Sequence, residues 1–114
     1  MKYSHRFTGN TLIIKVEERK LDTTLAPEFK KEILVLLQDE NIVNLVINLG
    51  LTQSIDSSGL GTLLFGRRQV VPRGGDCKLV NLQPKVLSLL KIAKLDRVFE
   101  VYKDEEEALK SISD

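Results

Sequence analysis

Apolar residues along this chain are grouped into short stretches whose spacing predicts alternating strands and helices. Two stretches, Tyr3 to Phe7 and the β-branched run Thr11 to Val16, flank a turn at Gly9-Asn10 and predict a β-hairpin. A first helix is predicted to follow and to run to about Gln38. Its apolar positions recur three or four residues apart and are Leu25, Phe29, Ile33, Leu36 and Leu37.

The rest of the chain continues this alternation. Strands are predicted at Val43 to Leu49, Lys78 to Leu82 and Val98 to Tyr102, and helices at Ser57 to about Val71, Pro84 to Lys94 and Asp104 to Ile112. Strands that alternate with helices favour right-handed crossovers and parallel pairing. We therefore predict one α/β domain over residues 1–114, with a mixed, mostly parallel sheet of four to five strands, an N-terminal hairpin and about four helices.

Composition excludes several classes of protein. The chain has 17 basic and 16 acidic residues, a formal net charge of +1, which gives no general attraction to nucleic acid or to an anionic membrane. No apolar run approaches the roughly 20 residues of a membrane span, and the N-terminus lacks the apolar core of a signal peptide. The single cysteine, Cys77, excludes an internal disulfide and suits a reducing compartment. We expect a soluble cytoplasmic domain that binds no nucleic acid and does not insert into membranes.

The run Ile55-Asp56-Ser57-Ser58-Gly59-Leu60-Gly61 lies where a strand gives way to the second predicted helix. The first backbone N–H groups of a helix are unpaired and the helix dipole favours negative charge there, so such a tip can carry a phosphate. A simpler interpretation is that Asp56 or Ser57 caps the helix, which stabilises it by about 1 kcal/mol. In that case the hydroxyl of Ser58 stays free in the first turn.

The turn Leu21-Asp22-Thr23-Thr24 precedes the first helix, and Asp22 or a threonine can cap that helix before Pro27. This turn and the Asp56-Ser58 tip both connect a strand to a helix, so both can face the same edge of the sheet.

Helical spacing places four residues of the second helix on one face, which we predict to be a docking stripe: Ser58, Gly61, Thr62 and Phe65. The alternative interpretation of Phe65 is a partly buried core aromatic. Three leucines, Leu60, Leu63 and Leu64, are predicted to turn inward. Glycine inside a helix costs about 1 kcal/mol relative to alanine. Gly59 and Gly61 therefore indicate either close packing on the sheet or a bare surface for another backbone.

The residues offer no catalyst. Gly59-x-Gly61 is followed by Leu64 where a dinucleotide fingerprint needs a third glycine, and neither a phosphate-binding loop with Gly-Lys nor a nucleophile elbow occurs. The only histidine, His5, cannot form a zinc site with Cys77 alone. We expect a binding module rather than an enzyme, with no catalytic residues, no metal and no cofactor.

Four features of the chain are shared with a known family. They are Leu21-Asp22, the string Asp56-Ser57-Ser58-Gly59-Leu60-Gly61, the fourteen-residue step from Gly61 to Gly75, and Leu95-Asp96-Arg97-Val98-Phe99. On these features the chain resembles the STAS family, named for sulfate transporters and anti-sigma factor antagonists. It is most similar to the bacterial anti-sigma factor antagonists, and the resemblance covers nearly the whole chain.

The resemblance implies a partner-switching cycle. In that family the second serine of the pair is phosphorylated by an anti-sigma factor that is itself a kinase. Carried over, the phosphoacceptor is Ser58, with Ser57 as the minor candidate, and the partners are an anti-sigma factor serine kinase and a PPM-type phosphatase. Together with the docking stripe, this gives the predicted partner-binding residues: Asp22, Thr23, Asp56, Ser57, Ser58, Gly59, Gly61, Thr62 and Phe65. We expect the free chain to be a monomer.

Two other functions are compatible with the sequence. Small STAS proteins also serve as cytoplasmic subunits of lipid-transporting ABC systems, where the domain holds an ATPase without needing phosphoserine. Phe65 replaces a small residue of the family pattern and Arg67 a usually apolar one, and these departures leave room for that function. Direct nucleotide binding at the helix N-terminus is the third hypothesis, although the chain has no phosphate-binding loop.

Overall fold

A computed structural model describes residues 1–113, so the last residue of the predicted domain, Asp114, lies outside the described residues. The strands along the chain are β1 (Tyr3–Thr8), β2 (Thr11–Val16), β3 (Lys20–Leu21), β4 (Asn44–Asn48), β5 (Ser54–Ile55), β6 (Cys77–Val80) and β7 (Glu100–Tyr102). Five of them form the main sheet, in the order β1-β2-β4-β6-β7. The β1–β2 hairpin is antiparallel and every other neighbouring pair is parallel. The predicted α/β fold class and the N-terminal hairpin are confirmed.

Four helices cover the two faces of this sheet. They are α1 (Ala26–Leu36), α2 (Ser57–Val70), α3 (Pro84–Ile92) and α4 (Glu105–Ser113). The first three pack on one face, where Phe29, Leu63 and Leu90 join the buried side chains of β2, β4 and β6. On the other face, Ala108 of α4 packs with Ile13 and Val46. No helix within residues 1–113 is both long and apolar enough to cross a membrane.

The central strand β4 is buried on both faces, because helices lie above and below it. All five of its residues are buried. The compact apolar run from Val43 to Leu49 predicted such a strand, and parallel strands covered on both sides typically have this composition. Since β4 lies between β2 and β6, it fixes the register of the parallel part of the sheet.

Several element ends differ from the prediction for local reasons. The first helix begins only at Ala26, because the Asp22 carboxylate accepts a hydrogen bond from Thr24 N, 3.0 Å away, and so caps a turn rather than the helix. Strand β6 ends before the predicted Leu82, since Asn81 adopts a left-handed conformation with φ 60°. Lys94, also at φ 60°, leads into a short 3₁₀ turn, Leu95–Arg97. The last strand begins at Glu100 and not at the predicted Val98, because the N–H groups of Val98 and Phe99 both donate to the Leu95 carbonyl.

A second, two-stranded sheet was not predicted. Strands β3 and β5 contain two residues each and pair in parallel, with Lys20 opposite Ser54 and Leu21 opposite Ile55. Two residues are too few to show an alternating pattern, so the sequence gives no signal for them. This small sheet nevertheless positions both strand-to-helix turns.

Candidate functional site

The parallel β3–β5 pair brings two turns together that are more than thirty residues apart in the chain. Because Leu21 lies opposite Ile55, Asp22 and Asp56 leave their strands side by side. The backbone N–H of Asp56 continues the pairing and donates to the Leu21 carbonyl at 3.3 Å. We call the residues at this end of the molecule, Asp22, Thr23, Asp56, Ser57 and Ser58, the hydroxyl tip.

Asp56 is the N-cap of α2 and also binds the neighbouring turn. One carboxylate oxygen, Oδ1, accepts from the Gly59 backbone N–H at 2.9 Å. The other, Oδ2, accepts from both the N–H and the hydroxyl of Thr23, each at 3.2 Å. These bonds, the one from Gly59 foremost, hold the pKa of Asp56 below its usual value of 3.8. Asp56 is therefore an anion at neutral pH, at the positive end of the helix dipole.

Ser58 is the serine of the pair that contacts this network. Its Oγ lies 3.1 Å from the Thr23 Oγ1, so the two hydroxyls are hydrogen-bonded to each other. Ser58 is half-buried, whereas Ser57 is exposed. The structure thus brings Thr23, Asp56 and Ser58 into one hydrogen-bonded chain, while Asp22 points its carboxylate at Thr24 instead.

The two glycines that follow have different roles. A side chain at Gly59 would place its Cβ 2.2 Å from the Leu21 carbonyl oxygen and 2.5 Å from Ile55 Cγ1, so only glycine fits there. Gly59 is buried and supports the tip from beneath. A Cβ at Gly61 would meet no atom within 4 Å, which makes it the bare position on the surface of α2.

The structure buries some members of the predicted docking stripe and leaves others at the surface. Thr62 is fully buried, and its hydroxyl donates to the Ser58 carbonyl at 3.1 Å, so it cannot contact a partner directly in this conformation. Phe65 is partly buried and packs against the core. Leu63 is fully buried as predicted, whereas Leu60 and Leu64 are only partly buried against the same core.

Sequence reasoning missed the contribution of α1 to this surface. The ammonium group of Lys30 lies 5.7 Å from the centre of the Phe65 ring, a cation–π distance. Leu34, one helical turn further along α1, is 50% exposed. The apolar pattern of α1 marks its buried face, but it does not show which outward side chains meet α2.

Arg67, which departs from the family pattern, serves the opposite end of α2. Its Nε lies 3.7 Å from Asp76 Oδ1, beside the Gly74-Gly75 turn that leads into β6. At Gly75 a Cβ would lie 1.7 Å from the Val43 carbonyl oxygen, so this turn packs directly against the start of β4. The arginine therefore pairs with Asp76 away from the hydroxyl tip.

The described part of the chain contains no group of three or more His, Cys, Asp or Glu residues that could hold a metal ion. What the hydroxyl tip offers instead is a partly exposed alcohol beside a fixed carboxylate at a helix N-terminus. A hydroxyl in this position can accept a transferred group, and a charged group added there would change the charge of the surface.

Comparison with known proteins identifies relatives that match most of the chain. The family model described as STAS domain matches residues 3–108. A Thermotoga neapolitana protein, whose name presents it as a candidate anti-sigma factor antagonist, is 28% identical over 101 residues, which cover 89% of each chain. The anti-sigma F factor antagonist of Paenibacillus polymyxa is 30% identical over 73 residues, 64% of this chain and 62% of that protein.

Solved structures share the fold. The anti-sigma factor antagonist SpoIIAA in its unphosphorylated form superposes with a TM-score of 0.83 at 21% identity, covering 98% of this chain and 96% of that one. The Bacillus cell fate determinant SpoIIAA in its phosphorylated form gives a TM-score of 0.74 at 20% identity, covering 97% of this chain and 99% of that one. Both likenesses concern the fold alone.

Proposed function

This chain belongs to the STAS domain family, and we propose that it is an anti-sigma factor antagonist that works by partner switching. The unphosphorylated chain binds an anti-sigma factor that is also a serine kinase, which releases a sigma factor. Phosphorylation of Ser58 separates the two proteins, and a PPM-type phosphatase restores the binding form. The names of the relatives support the general role.

The observation that carries the specific cycle is the position of the Ser58 hydroxyl. It lies in the first turn of α2, half-buried, and within 3.1 Å of Thr23, which in turn binds the Asp56 anion. A phosphate on Ser58 would add about −1.5 to −2 charges next to that anion. The N-terminus of α2 can stabilise this charge in the free chain, so the fold need not change.

The same charge opposes docking. Leaving a charge buried without a partner typically costs about 3–5 kcal/mol, and each 1.4 kcal/mol is about tenfold in affinity. A single phosphate at the centre of the interface therefore weakens binding by about two to three orders of magnitude.

We assign the partner surface to the hydroxyl tip together with Gly61 and Phe65. Gly61 is open to the surface, and Phe65 extends the patch toward Lys30 on α1. Gly59 and Thr62 belong to the site only as buried supports. This division predicts that substitutions at Gly61 affect binding and that substitutions at Gly59 affect folding.

Affinity capture from lysate of the source cells tests the proposal, with wild type, Ser58→Asp and Ser88→Asp as baits. Ser88 is exposed on α3, so the third bait adds the same charge elsewhere. We expect a kinase-type ATPase to be retained by wild type and Ser88→Asp and lost with Ser58→Asp. An ABC transporter ATPase retained equally by all three baits would contradict the switch and favour a constitutive transporter subunit.

A further inference from the structure

The hydrogen atoms in the hydroxyl tip have only one consistent arrangement. An ionised carboxylate accepts hydrogen bonds and cannot donate them. The bond between Thr23 Oγ1 and Asp56 Oδ2, at 3.2 Å, therefore uses the single hydroxyl hydrogen of Thr23. It follows that in the 3.1 Å contact between the two hydroxyls Ser58 is the donor and Thr23 the acceptor.

This arrangement fixes the orientation of the Ser58 side chain. Its hydrogen points toward Thr23, so the lone pairs of Oγ are directed away from Thr23. Without Thr23, the hydroxyl of Ser58 could rotate, and a lone pair would face an incoming phosphoryl group only part of the time.

We infer that Thr23 is a positioning residue that holds the Ser58 hydroxyl ready for phosphoryl transfer, an inference that rests on the proposed function. In the transfer, Ser58 Oγ bonds to the γ-phosphorus of ATP on the partner kinase. The bond between that phosphorus and the β–γ bridging oxygen breaks, and ADP leaves. The serine proton passes to Thr23 Oγ1 as the threonine proton passes to Asp56 Oδ2.

Three variants separate this role from a general contribution to structure. Thr23→Val removes the hydroxyl but keeps the shape and the backbone N–H that binds Asp56. Thr23→Ser restores a hydroxyl at the same position. Thr24→Val is the matched control, because it changes the neighbouring exposed threonine and keeps the N–H that donates to Asp22.

The first readout needs no partner. The pKa of Asp56, followed by the carboxyl carbon shift in an NMR titration, reports the hydrogen bond from Thr23. We expect it to rise in Thr23→Val and to remain at the wild-type value in Thr23→Ser and Thr24→Val. An unchanged pKa in Thr23→Val would show that the bond does not form and would overturn the inference.

The second readout is the rate of phosphate transfer from labelled ATP by the kinase that the wild-type bait retains. We expect Thr23→Val to slow the transfer step by about tenfold or more, because even a small misplacement of reacting groups lowers the rate steeply. We expect Thr23→Ser to restore the wild-type rate. Transfer to Thr23→Val at the wild-type rate would overturn the inference and leave the proposed function intact. If wild type itself takes up no phosphate, the proposed function fails, and the positioning role fails with it.

Discussion

Position 59 has no room for a side chain, whereas position 61 does. Alanine at Gly59 would push its Cβ into the Leu21 carbonyl, so we expect Gly59→Ala to lower the free energy of unfolding by about 1–3 kcal/mol, the range for overpacking. Gly61→Ala meets no neighbour and gains helix propensity, so it should raise that free energy by about 0.5–1 kcal/mol. Chemical denaturation of the two variants provides the measurement. Equal effects at both positions would contradict the division of the site into buried support and open surface.

Cys77 offers a second test at the scale of a residue. It is fully buried in β6, and burial together with the nearby Asp76 carboxylate raises the pKa of its thiol well above the ordinary value. We expect the thiol to be inert toward a disulfide reagent in the folded chain and to react at once after unfolding. Rapid reaction under native conditions would show that β6 is not part of a closed core.

Individual residues of the site were predictable only where their role is local. The sequence predicts a helix cap at Asp56 or Ser57, and the structure places it at Asp56. The hydrogen bond that Thr23 donates to Asp56 joins residues 33 positions apart and depends on the β3–β5 register, which has no signature in the sequence. The burial of Thr62 could not be predicted either, because helical spacing alone does not show which side of α2 faces the interior.

At the scale of elements, short-range patterns predicted the regular structure and missed its shortest pieces. Helices α2 and α3 and strands β2 and β4 agree with their apolar patterns to within one or two residues. The two-residue strands β3 and β5 are defined by their pairing and not by a pattern. Since these strands hold the two turns of the hydroxyl tip together, the geometry of the site needed the structure.

A hydrogen bond joins strand β1 to helix α1, and its contribution to the stability of the folded chain depends on pH. Tyr3 donates its hydroxyl hydrogen to Glu32 at 2.7 Å, and this bond, aided by burial, raises the pKa of Tyr3 to about 12 from 10.0. Because the pKa of Tyr3 is higher in the folded chain than in the unfolded chain, its hydrogen bond contributes fully to stability below pH 10.0. That contribution is lost as the pH rises toward about 12. We expect Tyr3→Phe to lower the free energy of unfolding by about 0.5–1.5 kcal/mol near neutral pH, with the difference disappearing above the pKa of Tyr3.

Ultraviolet titration of the tyrosines checks the same contact. In the Tyr102→Phe variant, Tyr3 is the only tyrosine left and should ionise near pH 12. A midpoint at the ordinary value of 10.0 would show that Tyr3 does not donate to Glu32.

Helix α4 is attached to the sheet through its first residue. Glu105 accepts from Asn48 Nδ2 at 2.7 Å and pairs with Arg6 Nη2 at 3.0 Å. Glu105→Ala leaves the buried Asn48 amide without this acceptor, so we expect the free energy of unfolding to fall by about 1–3 kcal/mol. Glu106→Ala is the control, since its exposed pair with Lys110 should contribute only about 0.3–0.5 kcal/mol. Similar losses in both variants, compared by thermal unfolding, would contradict an anchoring role for Glu105.

At the scale of the whole molecule, the site lies at the N-terminal end of α2, a helix whose buried apolar side chains belong to the main core. The two turns of the hydroxyl tip are held together by the small β3–β5 sheet, and α4 packs on the face of the main sheet that α2 does not cover. Because Ser58 is only half-buried, we expect a change of charge there to act on the surface and to leave the core in place. The shared edge of the two turns was predictable from the order of strands and helices, because parallel strands place the turns that follow them at one edge.

Isothermal titration calorimetry with the chain in two forms, unmodified and phosphorylated at Ser58, tests the central claim most directly. The titrant is the kinase retained by the wild-type bait, in the absence of ATP. We predict that phosphorylation weakens binding by about a hundredfold or more, while circular dichroism shows the same fold in both forms. Equal affinities of the two forms would contradict the account, because the phosphate would then lie outside the interface and could not switch it.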